Sequence, residues 1–161
     1  MYKKLLEPIS METKNDKTIA ALTHLSALLQ YFIPFGNFIF PIIIWSSKKE
    51  KSELIDHNGK QIINFQLSLL IYSLIFVLIA IPAFSTAIFS SMDWTEFLNN
   101  HEFFWNKINY ADNVSIITIG IISVLLFFIL KIVEFFLIII AAINASNGEK
   151  YNYPLTINFI K

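Results

Sequence analysis

No cysteine occurs among the 161 residues. That excludes a disulfide framework, a thiolate nucleophile and a cysteine-based metal site, and leaves the redox compartment open. Arginine is missing too, so lysine supplies every formal positive charge. The all-Lys, Ile/Phe/Asn-rich usage reads as AT-rich coding rather than mechanism. Only four glycines are present, and none forms a Gly-rich phosphate loop. The formal net charge is zero, which leaves no field to gather nucleic acid. Internal repeats and low-complexity linkers are absent.

What is present is oil. The chain is 55% hydrophobic with a mean hydropathy of +0.59, too apolar for an ordinary soluble domain, and it carries 16 Phe. Its length allows one domain. Three apolar stretches stand out: Thr18–Ser47, Gln61–Met92 and Val114–Asn144. A helix needs about 20 apolar residues to cross the hydrocarbon core, and the second and third stretches exceed that. A secretory signal peptide is not expected. Met1–Lys17 mixes lysines with Glu7, Glu12 and Asp16, and the first stretch ends in Trp45-Ser46-Ser47-Lys48 rather than a small-x-small cleavage site.

The first stretch is interrupted by Ile33-Pro34-Phe35-Gly36-Asn37, a strong turn signal. Pro34 lacks a helix donor, and Gly36-Asn37 readily adopts positive φ. The stretch is therefore expected to split into Thr18–Phe32 and Phe38–Ser47. Each half is short for a crossing, so a tight or re-entrant hairpin is predicted, its non-helical backbone covered by protein or lining a wet cavity.

Lysine placement supports the hairpin. Lys48, Lys49, Lys51 and Lys60 follow it in a Lys-rich loop; Lys150 and Lys161 follow the last stretch. Between the two long stretches only Lys107 occurs, beside Asp93, Glu96, Glu102 and Asp112. The positive-inside rule makes 93–113 external and both ends cytoplasmic. Three simple spans would strand the N-terminal lysines outside. Within 93–113, Asp93-Trp94-Thr95-Glu96 resembles a capping box, and Trp94, Phe97, Leu98, Trp105 and Ile108 recur at helical spacing. A short interfacial helix or a cap over the bundle fits equally. Asn147-Gly148 reads as a helix stop, Pro154 prevents a restart, and Tyr151 and Tyr153 fall where an aromatic belt is expected.

The fold reading is all-α: an integral membrane helical protein with a broken N-terminal helical hairpin plus two long transmembrane helices. Four helical segments are expected at about 18–32, 38–47, 61–92 and 114–144. They follow a cytoplasmic segment 1–17, with an external loop 93–113 and a tail 148–161. The bacterial plasma (inner) membrane is the expected location.

Two charges sit inside the third stretch. Lys131 and Glu134, spaced i, i+3, share one helix face. Ionisable residues within a span are costly and usually mark function. They could line a wet cavity, bind a polar segment or relay protons. Alternatively they form a neutralised pair at a helix contact, or Lys131 snorkels to an interface. The 31 residues of Val114–Asn144 extend roughly 46 Å, enough for sliding or tilt. On the second stretch Gln61, Asn64, Ser68 and Tyr72 fall on one stripe, with Ser73 at its edge and Gln66 pointing elsewhere. Interhelical bonding and a hydrophilic groove are the two readings. His24, Asp56, His57 and His101 have neither the spacing nor the number of a metal site, so no metal or other cofactor is expected. No nucleophile motif suggests an enzyme, and no catalytic residue is assigned.

Several motifs resemble one known family: His24-Leu25-Ser26-Ala27-Leu28, Pro34-Phe35-Gly36-Asn37, Pro41 to Trp45, Asp56-His57-Asn58-Gly59-Lys60 and Asn64-Phe65-Gln66. Ala141 to Ala145, Asn147-Gly148-Glu149 and Tyr151 to Leu155 continue the likeness. They resemble the small bacterial membrane proteins of unknown function that are similar to the roughly twenty-kilodalton subunit of the chloroplast inner-envelope (Tic) protein translocon. The resemblance covers about 18–80 and 114–160 and supplies no catalytic residues. Lys131 and Glu134 lie outside its motifs. It implies a small helical membrane protein and, by analogy alone, a translocation- or transport-related subunit. The competing reading is a non-transporting membrane scaffold or accessory protein. The expected partners are the lipid bilayer and either further copies of the chain or another membrane protein, with no nucleic acid.

Overall fold

The computed structural model describes residues 13–89 and 110–161, with side chains described for 13–89 and 114–161. All regular structure among them is helical. The order is α1 (Lys14–Leu25), a 3-10 segment (Ser26–Tyr31), α2 (Gly36–Lys48), a short 3-10 turn (Lys49–Lys51), α3 (Glu53–Phe89) and α4 (Tyr110–Asn147). The expected interfacial helix at 93–109 and its capping box lie outside the described residues, as does His101.

Each boundary has a local cause. Thr13 caps α1: its hydroxyl accepts from the Asp16 amide at 3.2 Å, and the Asp16 carboxylate accepts the Thr13 amide at 3.0 Å. The turn at Pro34–Asn37 joins two short arms, as expected. Its positive φ falls on Phe35 (φ 60°), however, rather than on Gly36 or Asn37. Gly36 is needed for a different reason. A Cβ there would lie 2.7 Å from the Leu29 carbonyl carbon and oxygen, so only glycine allows the two arms to meet. At the other end of the chain, α4 stops in a Schellman motif. Gly148 takes φ 93°, its amide bonds the Ala145 carbonyl at 3.0 Å, and the Glu149 amide bonds the Asn144 carbonyl at 3.0 Å.

The Lys-rich stretch after α2 is not a loop. After Lys51 the chain bends once at Ser52, and α3 begins at Glu53, so Asp56 and His57 stand on its first turns. The charges there mark helix extending beyond the apolar layer. By length, α3 with 37 residues spans about 55 Å and α4 with 38 about 57 Å.

The described chain divides into two compact units. The first comprises the N-terminal hairpin, α3 as far as Leu70, α4 from Ile132, and the segment after α4. Small residues let its helices approach: Ala20 and Ala145 close around Leu54 in a fully buried cluster joining α1, α3 and α4. Gly59 does the same for α2 and α3. A Cβ on it would meet Trp45 Cδ1 at 2.2 Å, and the Trp45 indole donates to Asp56 Oδ1 at 3.0 Å. Two bonds bring the lysine-bearing ends of this unit together. Lys17 Nζ donates to the Asn147 carbonyl at 3.1 Å, and Lys150 pairs with Glu53 at 2.5 Å. The hairpin thus returns the chain to its starting level.

The second unit comprises residues 71–131. Its described parts are two apolar helical sections in contact through Gly120, which lies against Phe84 and Ala83. Thr86, Thr118 and Ser123 turn their hydroxyls back to the carbonyls four residues earlier, a common way of burying hydroxyls in lipid-facing helices. A small apolar notch of about 100 Å³ lies between Phe76, Val77, Ala80, Ser123, Val124 and Phe127.

Candidate functional site

The polar groups of the first unit form three sites, the first two joined at Tyr153. The first is the stripe Gln61, Asn64 and Ser68 on α3. Its partner is not a neighbouring helix but the main chain of residues 153–160. Gln61 Oε1 accepts the Tyr153 amide at 3.3 Å, and Ser68 Oγ accepts the Ile157 amide at 2.8 Å. Asn64 Oδ1 accepts the amides of Phe159 (3.1 Å) and Ile160 (2.8 Å), and Asn64 Nδ2 donates to the Ile160 carbonyl at 2.9 Å. Ser68 completes its set by donating to the Asn64 carbonyl at 2.7 Å. The chain thus runs from the level of Gln61 to that of Ser68 and back to Asn64. Asn64 and Ser68 are buried under it. Tyr72 and Ser73, the continuation of the stripe, belong to the second unit and are half-buried.

The second site centres on His24, which the sequence offered as part of a motif and as an unsuitable metal ligand. Asn58 Nδ2 donates to the carbonyls of Leu54 (3.0 Å) and Glu149 (3.2 Å), which fixes its Oδ1 as an acceptor. His24 Nε2 therefore donates to Asn58 Oδ1 at 2.9 Å, and His24 Nδ1 accepts the Tyr153 hydroxyl at 2.9 Å. Tyr153 stacks on Phe65 at 4.0 Å and meets Tyr151 edge-on at 5.0 Å. Burial lowers the His24 pKa to about 4, helped by the nearby His57 and opposed by the Asn58 bond. The imidazole is neutral at neutral pH. Burial likewise pushes the Tyr153 phenol well above its usual range. His57 does not join this set: its Nε2 bonds the Tyr151 carbonyl at 3.2 Å. Asp56 pairs with Lys60 at 2.6 Å. No group of three or more candidate metal ligands occurs among the described residues.

The third site is Glu134. It is fully buried and accepts from Gln30 Nε2 at 2.9 Å, across 104 residues of sequence. Gln30 is held there by the 3-10 segment just before the Pro34 turn. Glu134 lies 13 residues before the end of α4, about 20 Å along its axis. Lys131 is half-buried and falls in the second unit. Close to the same turn, Asn37 Nδ2 donates to Gln66 Oε1 at 2.8 Å, which is the separate contact expected of Gln66.

The long helices carry apolar side chains that face outward. Only 22% of the most apolar window of α3, and 17% of that of α4, is buried, whereas a soluble core helix would be covered. The fold and its polar interior define a small polytopic helical membrane protein. A family model matches residues 15–160, and the chain belongs to the family that it describes, the magnetosome magnetite crystal formation protein family. This overturns the resemblance to the relatives of the chloroplast translocon subunit. Three of the motifs that carried that resemblance serve local geometry here: the Pro34–Asn37 turn, the Gly59 contact with Trp45, and the Gly148 stop. No curated protein and no solved structure matches the chain.

Proposed function

We propose that this protein is a non-catalytic, non-transporting membrane scaffold that acts as an accessory in magnetite crystal formation, the role in its family's description. One observation carries the choice of scaffold over conduit. The polar groups a transport path would need are taken up within the first unit: Gln61, Asn64 and Ser68 by the chain's own backbone, and Glu134 by Gln30. Polar side chains so engaged act as glue. The lysine-bearing ends that meet in the first unit face the cytoplasm under the positive-inside rule. Further copies or another membrane protein are the partners a scaffold of this size requires.

Two measurements test this reading. Proteoliposomes loaded with a fluorescent reporter of protons or of ferrous iron should leak at the rate of empty vesicles. Flux above that rate, abolished by Glu134→Gln, would overturn the scaffold assignment. Expression in a magnetite-forming bacterium stripped of its own members of this family should restore crystal size in electron micrographs. Unchanged small crystals at normal expression would remove the crystal-formation role.

A further inference from the structure

Residues 153–160 pose a physical problem that their surroundings solve. The segment is neither helix nor strand: it turns at Pro154–Leu155, where Leu155 takes φ 58°, and bends at Phe159, whose amide bonds the Ile157 carbonyl at 3.1 Å. It therefore satisfies little of its own backbone, and it runs to the level of Ser68. Ser68 lies roughly 9 Å past Ile62, where the apolar part of α3 begins. Non-helical backbone at such depth is tolerated only when every amide finds a partner. The Gln61, Asn64 and Ser68 side chains provide those partners for Tyr153, Ile157, Phe159 and Ile160.

The side chains show the complementary pattern. Leu155, Ile157 and Phe159 alternate along the segment and are 79%, 42% and 46% exposed. Asn158 and Lys161 instead line a polar pocket of about 330 Å³ with Glu53, Asp56, His57 and Lys60, at the charged end of α3. Exposed Leu155, Ile157 and Phe159, backbone bonded inward to α3 and polar groups toward the charged end together make the segment amphipathic. Its apolar row is continuous in character with the outward-facing Phe136, Ile140 and Ile143 of the same unit.

We infer that residues 153–160 form an interfacial strap whose partner is the headgroup–acyl boundary of a phospholipid bilayer, with Leu155, Ile157 and Phe159 in the acyl chains. The strap is thus a lipid-contacting element and not a cytoplasmic tail. This inference rests on membrane embedding and is independent of the scaffold role.

The lack of cysteine makes the test direct. Single cysteines at Leu155, Ile157, Phe159 and Asn152 carry nitroxide labels in phosphatidylethanolamine/phosphatidylglycerol vesicles, with Leu78 on α3 as the control. Collision rates with oxygen, which partitions into lipid, and with a water-soluble nickel chelate are compared. Positions 155, 157 and 159 should be dominated by oxygen and 152 by the chelate. Chelate-dominated collisions at 155, 157 and 159, with Leu78 still in lipid, would overturn the strap; chelate access at Leu78 as well would instead overturn membrane embedding. Shielding of the strap from both reagents would mean that a protein covers it, and would also overturn the inference. A benzoylphenylalanine placed at Ile157 gives a second readout. Irradiation should add the mass of a phospholipid, and a protein–protein adduct in its place would contradict the assignment.

Discussion

Residues 53–70 and 71–89 belong to one uninterrupted helix and live in two chemistries. In the first part Leu54, Ile55, Asn58, Ile62, Asn64 and Ser68 are all buried, and half of those side chains are polar. In the second, Leu74, Leu78 and Ile81 are more than half exposed, and the Thr86 hydroxyl donates back to the Pro82 carbonyl of its own helix. The first part has eight apolar residues among 18 and the second fifteen among 19, and the material packed against them differs accordingly. The first part meets the hairpin, α4 and the strap, whose polar atoms need partners. The second faces the hydrocarbon, which offers none. Order in the first unit is therefore set by specific bonds and close contacts, and the second is far less particular.

The largest contrast is expected from the glycines. Gly59→Ala drives a methyl into Trp45 near its Cβ, where the ring has little room to swing. It should cost about 3 kcal/mol or more in a denaturant titration in detergent. Gly120→Ala meets the Phe84 ring edge at 3.1 Å and the Ala83 Cβ at 3.3 Å, and alanine's helix preference of about 1 kcal/mol offsets this milder crowding. Its stability should change little. Equal losses at both positions would erase the distinction between the units.

Acid should act through His24. Its ordinary pKa of 6.5 applies to the unfolded chain and a value of about 4 to the folded one. Above pH 6.5 the imidazole is neutral in both states and contributes no pH dependence. As pH falls from 6.5 towards 4, the unfolded chain takes up a proton that the folded chain refuses. Stability is lost across that window, by about 3 kcal/mol in all. A His24→Gln variant titrated in parallel should lack this slope, and retention of the full slope would assign it to other groups.

Next in size is Asn64→Leu, which leaves the Phe159 and Ile160 amides without their acceptor. A loss of about 2 kcal/mol is expected. Ser123→Ala, whose hydroxyl only returns to the Ile119 carbonyl, should change stability by less than about 0.5 kcal/mol. A silent Asn64→Leu would mean that the strap does not depend on the stripe.

Much of this was legible in the residues. Pro34–Asn37 announced the hairpin, apolar length announced the two long helices, and spacing put Gln61, Asn64 and Ser68 on one face. What they bind was not legible. The strap presents backbone to the stripe, and backbone has no residue signature. The start of α3 was missed because charge was read as loop, when it marked helix protruding beyond the apolar layer. His24 was read beside Asp56 and His57 because they are the chain's histidines and a nearby acid. Its actual partners, Asn58 and Tyr153, had been assigned to a motif and to an aromatic belt. Gln30 was overlooked as a partner of Glu134, since nothing in the sequence connects a residue before a turn with one 104 positions later.

The most direct test of the account is hydrogen–deuterium exchange by mass spectrometry on the protein in nanodiscs, comparing wild type with Asn64→Leu. The account holds that polar side chains of the first unit bind its own backbone. Peptides covering 155–161 should therefore exchange slowly in wild type and orders of magnitude faster in the variant, while peptides covering 71–89 stay unchanged. Fast exchange of 155–161 already in the wild-type protein would contradict it.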